Sequence, residues 1–177
     1  MAEVSEKLDS PVLRTQALLG SARFLWRLSR YEEAENAANA ARKLAEAAGD
    51  RKSVAFSLNN LGLVARSQGR YAEAEKLHKK SLGVKRETGD RYGIAASLNS
   101  LGLVARNQGR HQEAEKLYNE SLKICREIGD RSGIAMSLNN LGAAAHAQGR
   151  YAEAEKLHKE SLEIFRETGG RAGIAMS

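Results

Sequence analysis

The 177-residue sequence has one proline, one cysteine and 5% aromatic residues, and each shortage excludes a class of protein. With one proline, long helices can run without interruption. A single thiol, Cys125, excludes an internal disulfide framework and fits a reducing compartment. Because aromatic residues are scarce, we expect a core of leucine, isoleucine, valine and alanine.

The sequence also lacks long apolar runs. None approaches the ~18–20 residues that a membrane-spanning helix needs. Residues 1–10 lack the basic segment and apolar stretch of a secretory signal. We therefore expect a cytoplasmic protein without a membrane partner.

The overall composition is that of a folded, basic protein. A hydrophobic fraction of 42% is incompatible with a disordered chain. The formal net charge is +6, with a pI near 9.5. This charge is compatible with nucleic acid, an acidic membrane surface or acidic proteins as partners, and composition does not separate them.

The dominant feature is a repeat of forty residues. The string SLNNLGLVARSQGRYAEAEKL at Ser57–Leu77 returns in close copy at Ser97–Leu117 and at Ser137–Leu157. A fixed period of this size indicates a stack of similar supersecondary units, in which each unit packs against its neighbours. Such a stack offers an extended surface more readily than a catalytic pocket.

Each unit is predicted to be a pair of antiparallel helices. Apolar residues at steps of three and four predict helices over Arg91–Asn107 and His111–Ile128. Gly109 and Gly129 end these helices, because glycine adopts the left-handed backbone that closes a helix. Asp130 stands where a side-chain acceptor can cap the next helix.

The register predicts four units and the start of a fifth. We expect a flexible leader over 1–10 and one domain over 11–177, with repeats at 11–50, 51–90, 91–130 and 131–170 and a stub at 171–177. The first repeat is degenerate, as terminal repeats often are. The stub copies the start of the fourth repeat, which suggests a fragment of a longer array.

One position varies strongly between the repeats. Cys125 has Lys85 and Phe165 as its equivalents forty residues away on either side. A position that accepts these three residues is predicted to be a half-buried helix flank, so we interpret the thiol as inert.

Small residues recur where two helices of a pair would cross, at Gly62, Gly102 and Gly142 and at Ala74 in the second helix. With Leu61, Tyr71 and Ser81, they make the chain resemble the tetratricopeptide repeat family. The forty-residue unit is similar to the repeats of kinesin light chains, Pins-type scaffolds and bacterial signalling arrays. The resemblance implies an all-α, right-handed solenoid whose concave face, lined by the first helices, holds a peptide or protein segment.

The family's groove positions map onto the first helix of each unit. The resemblance therefore implies a partner-binding groove of Arg23, Trp26, Arg27, Phe56, Asn59, Leu63, Arg66, Asn99, Leu103, Arg106, Met136, Asn139 and His146. Trp26 has no aromatic counterpart in later repeats. It is either an N-terminal packing residue or an anchor for the partner.

Asn59, Asn99 and Asn139 form a ladder with one step per repeat. An amide offers a donor and an acceptor, so it can pair with the backbone of an extended ligand. The alternative is that each asparagine bonds a neighbouring unit and orders the stack. Both interpretations explain why a poor helix former occupies the middle of a helix.

Arg23, Arg27, Arg66, Arg106 and His146 would give this groove a cationic row. Arginine forks match carboxylates, so an acidic segment or a C-terminal carboxylate is the expected ligand. The alternative is a row of solvated side chains that only aids solubility.

No sequence feature indicates an enzyme or a cofactor. The four histidines and the cysteine lack metal-ligand spacing, and nearly every carboxylate is replicated between repeats. Two other functions stay open, a helical repeat that binds nucleic acid and a passive spacer or oligomerisation element. The inner face at the end of the fourth pair, which includes Leu162 and Phe165, is expected to lack its full neighbour, which suggests self-association through that end.

Overall fold

The computed structural model describes residues 10–169, which form eight helices and contain no strand. α6 has 18 residues and each of the other helices has 17. The helices are α1 Pro11–Arg27, α2 Tyr31–Ala47, α3 Arg51–Ser67, α4 Tyr71–Glu87, α5 Arg91–Asn107, α6 His111–Ile128, α7 Arg131–Ala147 and α8 Tyr151–Glu167. The predicted all-α fold of about four helix pairs is confirmed.

The chain divides into two compact units, Met1–Gly89 and Asp90–Ser177. Within each unit every helix contacts the next, and the two first helices also contact each other, α1 with α3 and α5 with α7. The predicted leader, except Ser10, and the stub at 171–177 lie outside the described residues.

Helix starts and ends follow the same chemistry in successive repeats. The carboxylates of Asp50, Asp90 and Asp130 each accept a hydrogen bond from the backbone N–H three residues later, at 3.0, 2.8 and 3.0 Å. Gly109 follows its helix with a φ of 74°. At the same point of the degenerate first repeat Ser29 adopts a φ of 59°, a conformation that glycine takes without steric cost.

The two helices of each pair cross at a glycine that faces a ring. A Cβ added to Gly62 would lie 2.6 Å from the ring of His78, and one added to Gly142 would lie 2.8 Å from that of His158. Gly102 meets Tyr118 in the same way. The absence of a Cβ therefore lets a large second-helix side chain fill the crossing.

The first repeat fills the same crossing with two small residues. Ala22 stands at the glycine position and Ala38 stands at the ring position, and both are buried. Without a ring at position 38, the first helix can carry a Cβ at the crossing.

A buried hydroxyl joins the two helices of the later pairs. Ser81, Ser121 and Ser161 donate to the carbonyl oxygens of Ala55, Ala95 and Ala135 at 2.8, 2.9 and 2.7 Å. Because the carbonyl lies in the preceding helix, each bond fixes the rotation of one helix against the other.

Arginines in the turns join neighbouring repeats within a unit. Arg70 donates to Glu35 of the preceding pair at 2.6 Å, and Arg150 donates to Glu115 in the same way at 2.6 Å. Each of these arginines also contacts a glutamate three residues later in its own helix. The recurrence of these charges in register was a signal available in the sequence.

The prediction of a half-buried flank at the Cys125 position was wrong for two of its three residues. Cys125 and Lys85 are buried, and Phe165 is half-buried. Cys125 packs against the start of α7, where a Cβ on Gly133 would lie 2.6 Å from its Sγ. Burial raises the pKa of the Cys125 thiol, which agrees with an inert role.

Substitution of Gly62 by alanine tests the helix crossing. We expect Gly62→Ala to lower the free energy of unfolding, because overpacking against the buried His78 ring costs ~1–3 kcal/mol while better helix propensity returns only ~1 kcal/mol. Urea unfolding followed by circular dichroism measures the change.

Gly83 supplies a matched control, since it is helical and a Cβ there would meet nothing within 4 Å. Gly83→Ala should stabilise the protein by about 0.5–1 kcal/mol. Equal effects of the two substitutions would contradict the close crossing.

Candidate ligand-binding face

Each unit presents one helix face that is not used for packing within the repeat. We call it the first-helix face, formed by α1 and α3 in one unit and by α5 and α7 in the other. In both units apolar side chains lie toward the start of the helices and basic side chains lie in the last turn.

The apolar part of the first unit centres on Phe56. Its ring is exposed, and Leu63 two turns later is half-buried. The Nζ atom of Lys85 lies 5.8 Å from the centre of the Phe56 ring, within the range of a cation–π interaction.

The basic part of the first unit surrounds Trp26. The indole Nε1 of Trp26 donates to Ser67 Oγ at 2.9 Å, which links α1 to α3. Arg23 and Arg27 are exposed and Arg66 is half-buried. The half-buried Trp26 therefore links the last turns of the two helices in which the three arginines lie.

The second unit has a related arrangement. Met136 is exposed, Leu103 is half-buried, and Arg106 lies half-buried in the last turn of α5. His146 is exposed and contacts the ring of Tyr151 edge-on, with 5.2 Å between the ring centres. The imidazole of His146 therefore packs against the Tyr151 ring, so its surroundings differ from those of the arginines at equivalent positions.

Tyr92 was missed by the sequence reasoning. It is exposed at the start of α5, where the other repeats have no aromatic residue. With Met136 and Ala96 it borders a shallow cavity of about 30 Å³ between α5 and α7. Its uniqueness among the repeats was the available signal.

The three asparagines of the ladder differ in their hydrogen bonds. Asn99 is buried, and its Oδ1 accepts a hydrogen bond from Nδ2 of Asn140 at 2.7 Å. The Oδ1 of Asn139 lies 3.0 Å from Nδ1 of His158. The Oδ1 of Asn59 is buried and has no hydrogen-bond partner within the described residues.

In the two Asn–Asn dipeptides, at 59–60 and 139–140, the second asparagine joins neighbouring repeats. Asn60 donates to the carbonyl of Leu19 at 3.2 Å, as Asn140 donates to Asn99, and both bonds join a first helix to the preceding first helix. Asn99 therefore bonds a neighbouring repeat, which is the second of the two roles considered for the ladder. The ladder contains partly exposed amides at Asn59 and Asn139.

His78 lies beneath the first-helix face of the first unit. It is fully buried, and neither ring nitrogen has a hydrogen-bond partner in the described part of the chain. Burial, followed by the nearby charges of Arg66 and Lys85, lowers the pKa of His78 to about 3. The ring is neutral at physiological pH and serves as packing against Gly62.

Within residues 10–169, no group of three or more histidine, cysteine, aspartate or glutamate side chains is placed to hold a metal ion. In the same range, no helix combines the length and apolar character required to cross a membrane.

The model of a family described as Tetratricopeptide repeat matches residues 13–87 and 93–167 of this sequence. Among proteins of curated function, none matches the chain. The tetratricopeptide fold is generally a non-catalytic scaffold for protein interaction.

Several solved structures share the fold. BtubC (BKLC) from P. vanneervenii has 21% sequence identity and a TM-score of 0.75, over 91% of this chain and 66% of that one. A Rap protein complexed with competence and sporulation factor has 16% identity and a TM-score of 0.83, over 94% and 47%. A signal transduction ATPase with a tetratricopeptide repeat sensor from Pyrococcus horikoshii has 17% identity and a TM-score of 0.75, over 94% and 27%. The chain thus spans between about a quarter and two thirds of their lengths.

Removal of the Asn140 amide tests the stacking role. We expect Asn140→Ala to lower the free energy of unfolding by about 1–3 kcal/mol, because it leaves the buried Oδ1 of Asn99 without a donor. Asn59→Ala is the matched control, since its Oδ1 has no such bond among the described residues. Urea denaturation in which the two variants lose equal stability would contradict this assignment.

The buried His78 predicts a loss of stability in acid. Its folded pKa of about 3 lies below the ordinary 6.5, so the unfolded chain binds a proton that the folded chain does not. The free energy of unfolding should fall as pH drops below 6.5 and continue to fall to about 3.

His78→Tyr should remove that part of the acid sensitivity, because tyrosine occupies the equivalent position at Tyr118. Urea unfolding midpoints at a series of pH values give the comparison. An unchanged pH dependence in the variant would show that His78 is not responsible.

Proposed function

Because the chain belongs to the tetratricopeptide repeat family, we propose that it is a protein-interaction module that holds an acidic, extended protein segment on its first-helix face. The contrast between two sets of arginines carries this proposal. One set serves the fold, and the other lies on the candidate binding face.

The arginines of the turns are already neutralised. Arg70 and Arg150 each contact two glutamates within 2.8 Å. Arg23, Arg27 and Arg106 make no ion pair with any residue in 10–169. Guanidinium groups in this state can form charge-assisted hydrogen bonds with the carboxylates of a partner.

Position in the helix allows a second explanation for the unpaired arginines. Each lies in or near the last turn of its helix, where a positive charge interacts favourably with the helix dipole. That interaction is typically worth only 0.3–1 kcal/mol and leaves the guanidinium donors available. A dipole role and a ligand role are therefore compatible.

Apolar residues extend the face toward the starts of the helices. Phe56 in the first unit and Tyr92 and Met136 in the second are exposed, although residues of this size usually lose surface on folding. An extended segment with alternating acidic and apolar side chains could contact the basic part of the face with its carboxylates and the apolar part with its apolar groups. Asn59 and Asn139 are half-buried, and their amide N–H groups can donate to its backbone.

The structural neighbours support a regulatory setting. One is described as complexed with a competence and sporulation factor, and another as a signal transduction ATPase with a tetratricopeptide repeat sensor. We propose that this chain is likewise the non-catalytic binding part of a cytoplasmic signalling or regulatory protein.

Nucleic acid is the second candidate, favoured by a net charge of +6. The arrangement of the face argues against it. Single-stranded nucleic acid is held by aromatic platforms that stack successive bases. The exposed Phe56 and Tyr92 lie at different positions of their repeats, so no regular stacking row results.

Charge reversal on the first-helix face tests the proposal. The probe is a labelled peptide of alternating glutamate and leucine, and the readouts are fluorescence anisotropy and the emission of Trp26. We expect Arg27→Glu with Arg106→Glu, one substitution in each unit, to weaken binding at each unit by about tenfold or more, because each charge-assisted hydrogen bond contributes ~1.5–3 kcal/mol.

Lys80→Glu with Lys116→Glu is the matched control, since it changes the net charge equally on the exposed surfaces of α4 and α6. This control and a peptide with glutamine in place of glutamate separate local contacts from overall charge. Unchanged binding in the arginine variant, with an intact helical circular-dichroism signal, would refute the cationic face. Tight binding of single-stranded nucleic acid that falls steeply with salt would favour the second candidate.

A further inference from the structure

We propose that the cavity between the starts of α5 and α7 binds a protonated primary amine, supplied by a lysine side chain of the segment held on the first-helix face. The proposal rests on the proposed function, because that segment brings the lysine to the cavity. It deepens the function by giving the acidic ligand one basic residue at a defined place.

One wall of the cavity carries a carboxylate oxygen without a donor. Oδ1 of Asp130 accepts the N-cap hydrogen bond from Gly133 N–H at 3.0 Å, and Oδ2 receives no hydrogen bond from any residue in 10–169. The first unit differs here, because Ser53 Oγ donates to Oδ2 of Asp50 at 2.7 Å. Glycine at position 133 supplies no such hydroxyl. Oδ2 of Asp130 is therefore available to a donor from outside the chain.

Gly133 also opens the floor of the cavity. A Cβ added there would collide with Oδ2 of Asp130 and would lie 2.6 Å from Sγ of Cys125. Gly133 and Cys125 are buried, and both line the cavity together with Asp130. The glycine thus leaves a space that the carboxylate oxygen and the thiol border.

The mouth of the cavity has an aromatic ring and a thioether beside the carboxylate. Tyr92 is 63% exposed and Met136 is 47% exposed, and both border the cavity. An aromatic ring attracts an ammonium through its negative face. Ala96 stands where α3 has Phe56, so the aliphatic part of a lysine has room there.

The size of the cavity selects a small group. Its volume of about 30 Å³ accommodates one group of the size of a water molecule. An ammonium group has this size, whereas the branched end of a leucine and a phosphate are larger. None of the residues that line the cavity is basic.

The charge around the cavity selects a cation among such small groups. Arg91 and Arg131, at the first positions of α5 and α7, pair with Glu127 and Glu167, so they leave the charge of Asp130 uncompensated. The dipole of α7 is equivalent to about half a positive charge at its start, which is less than the full negative charge of the carboxylate.

A peptide series tests the proposal. Each leucine of the alternating glutamate–leucine peptide is replaced in turn by lysine, and a matched peptide carries norleucine at the same position. All N-termini are acetylated, so the lysine is the only amine. At one position the unaltered chain should bind the lysine peptide about tenfold tighter than the norleucine peptide, because a charge-assisted hydrogen bond is added.

Asp130→Asn should remove this preference, so that the two peptides bind equally. Asparagine keeps an acceptor for the N-cap hydrogen bond, and the start of α7 is therefore retained. Asp50→Asn is the matched control, because it changes the same cap in the first unit, where Ser53 already donates to Oδ2. The control should keep the preference for lysine.

A second variant copies the first unit into the cavity. Gly133→Ser with Cys125→Ala gives the residues that the first unit has at Ser53 and Ala45. The new hydroxyl should donate to Oδ2 of Asp130, and the preference for lysine should fall by about tenfold. Circular dichroism verifies that the variant is folded.

Butylammonium tests the cavity without the peptide. In nuclear magnetic resonance of the isotope-labelled chain, it should shift the signals of Gly133 N–H and the Tyr92 ring. The signal of Ser53 N–H should not move, and butanol, the neutral control, should shift none of the three. Asp130→Asn should abolish the shifts.

Equal binding of the lysine and norleucine peptides at every position would overturn the proposal. The proposed function would still stand if Arg27→Glu with Arg106→Glu weakened the binding of both peptides. A lysine preference that persists in Asp130→Asn would also overturn the amine site. If no peptide binds, the proposed function is wrong and butylammonium decides: shifts at Gly133 that Asp130→Asn abolishes support the amine site, and their absence overturns it.

Discussion

The close helix crossing at Gly62, Gly102 and Gly142 is the contact on which the rest of the structure depends. At each crossing a ring of the second helix lies where a Cβ would otherwise stand. Hydroxyl–carbonyl bonds such as Ser81 to Ala55 then fix the rotation of the pair. Because these contacts use one side of the first helix, its opposite side is left exposed and can vary.

Because one side of each first helix packs and the opposite side is exposed, nearly identical repeats can carry different residues on their exposed sides. The crossing glycines and the serines that bond to the first helix are the same in the later repeats, whereas the exposed position of Phe56 is occupied by Ala96 and Met136 in the next repeats. The same division separates two kinds of arginine. Arg70 and Arg150 hold repeats together, whereas Arg23, Arg27 and Arg106 make no ion pair with the residues that the structure describes.

Local features of the sequence predicted the fold well. Gly109, Gly129 and Asp130 fixed the helix ends because capping depends on a few neighbouring residues. Features that depend on packing between repeats were less accessible. The sequence did not show that Asn99 would accept a hydrogen bond from Asn140. Neighbouring asparagines such as Asn139 and Asn140 differ only in the direction in which their amides face. It also did not show that Lys85 would be buried, because a long aliphatic chain can be covered while its charge contacts a ring.

The central claim is that ligand contacts are confined to the first-helix face. Nuclear magnetic resonance of the isotope-labelled chain, titrated with the alternating glutamate–leucine peptide, tests it most directly. The account predicts shifts in the signals of α1, α3, α5 and α7, including the Nε–H groups of Arg23, Arg27 and Arg106. Shifts confined to α2, α4, α6 and α8 would contradict it.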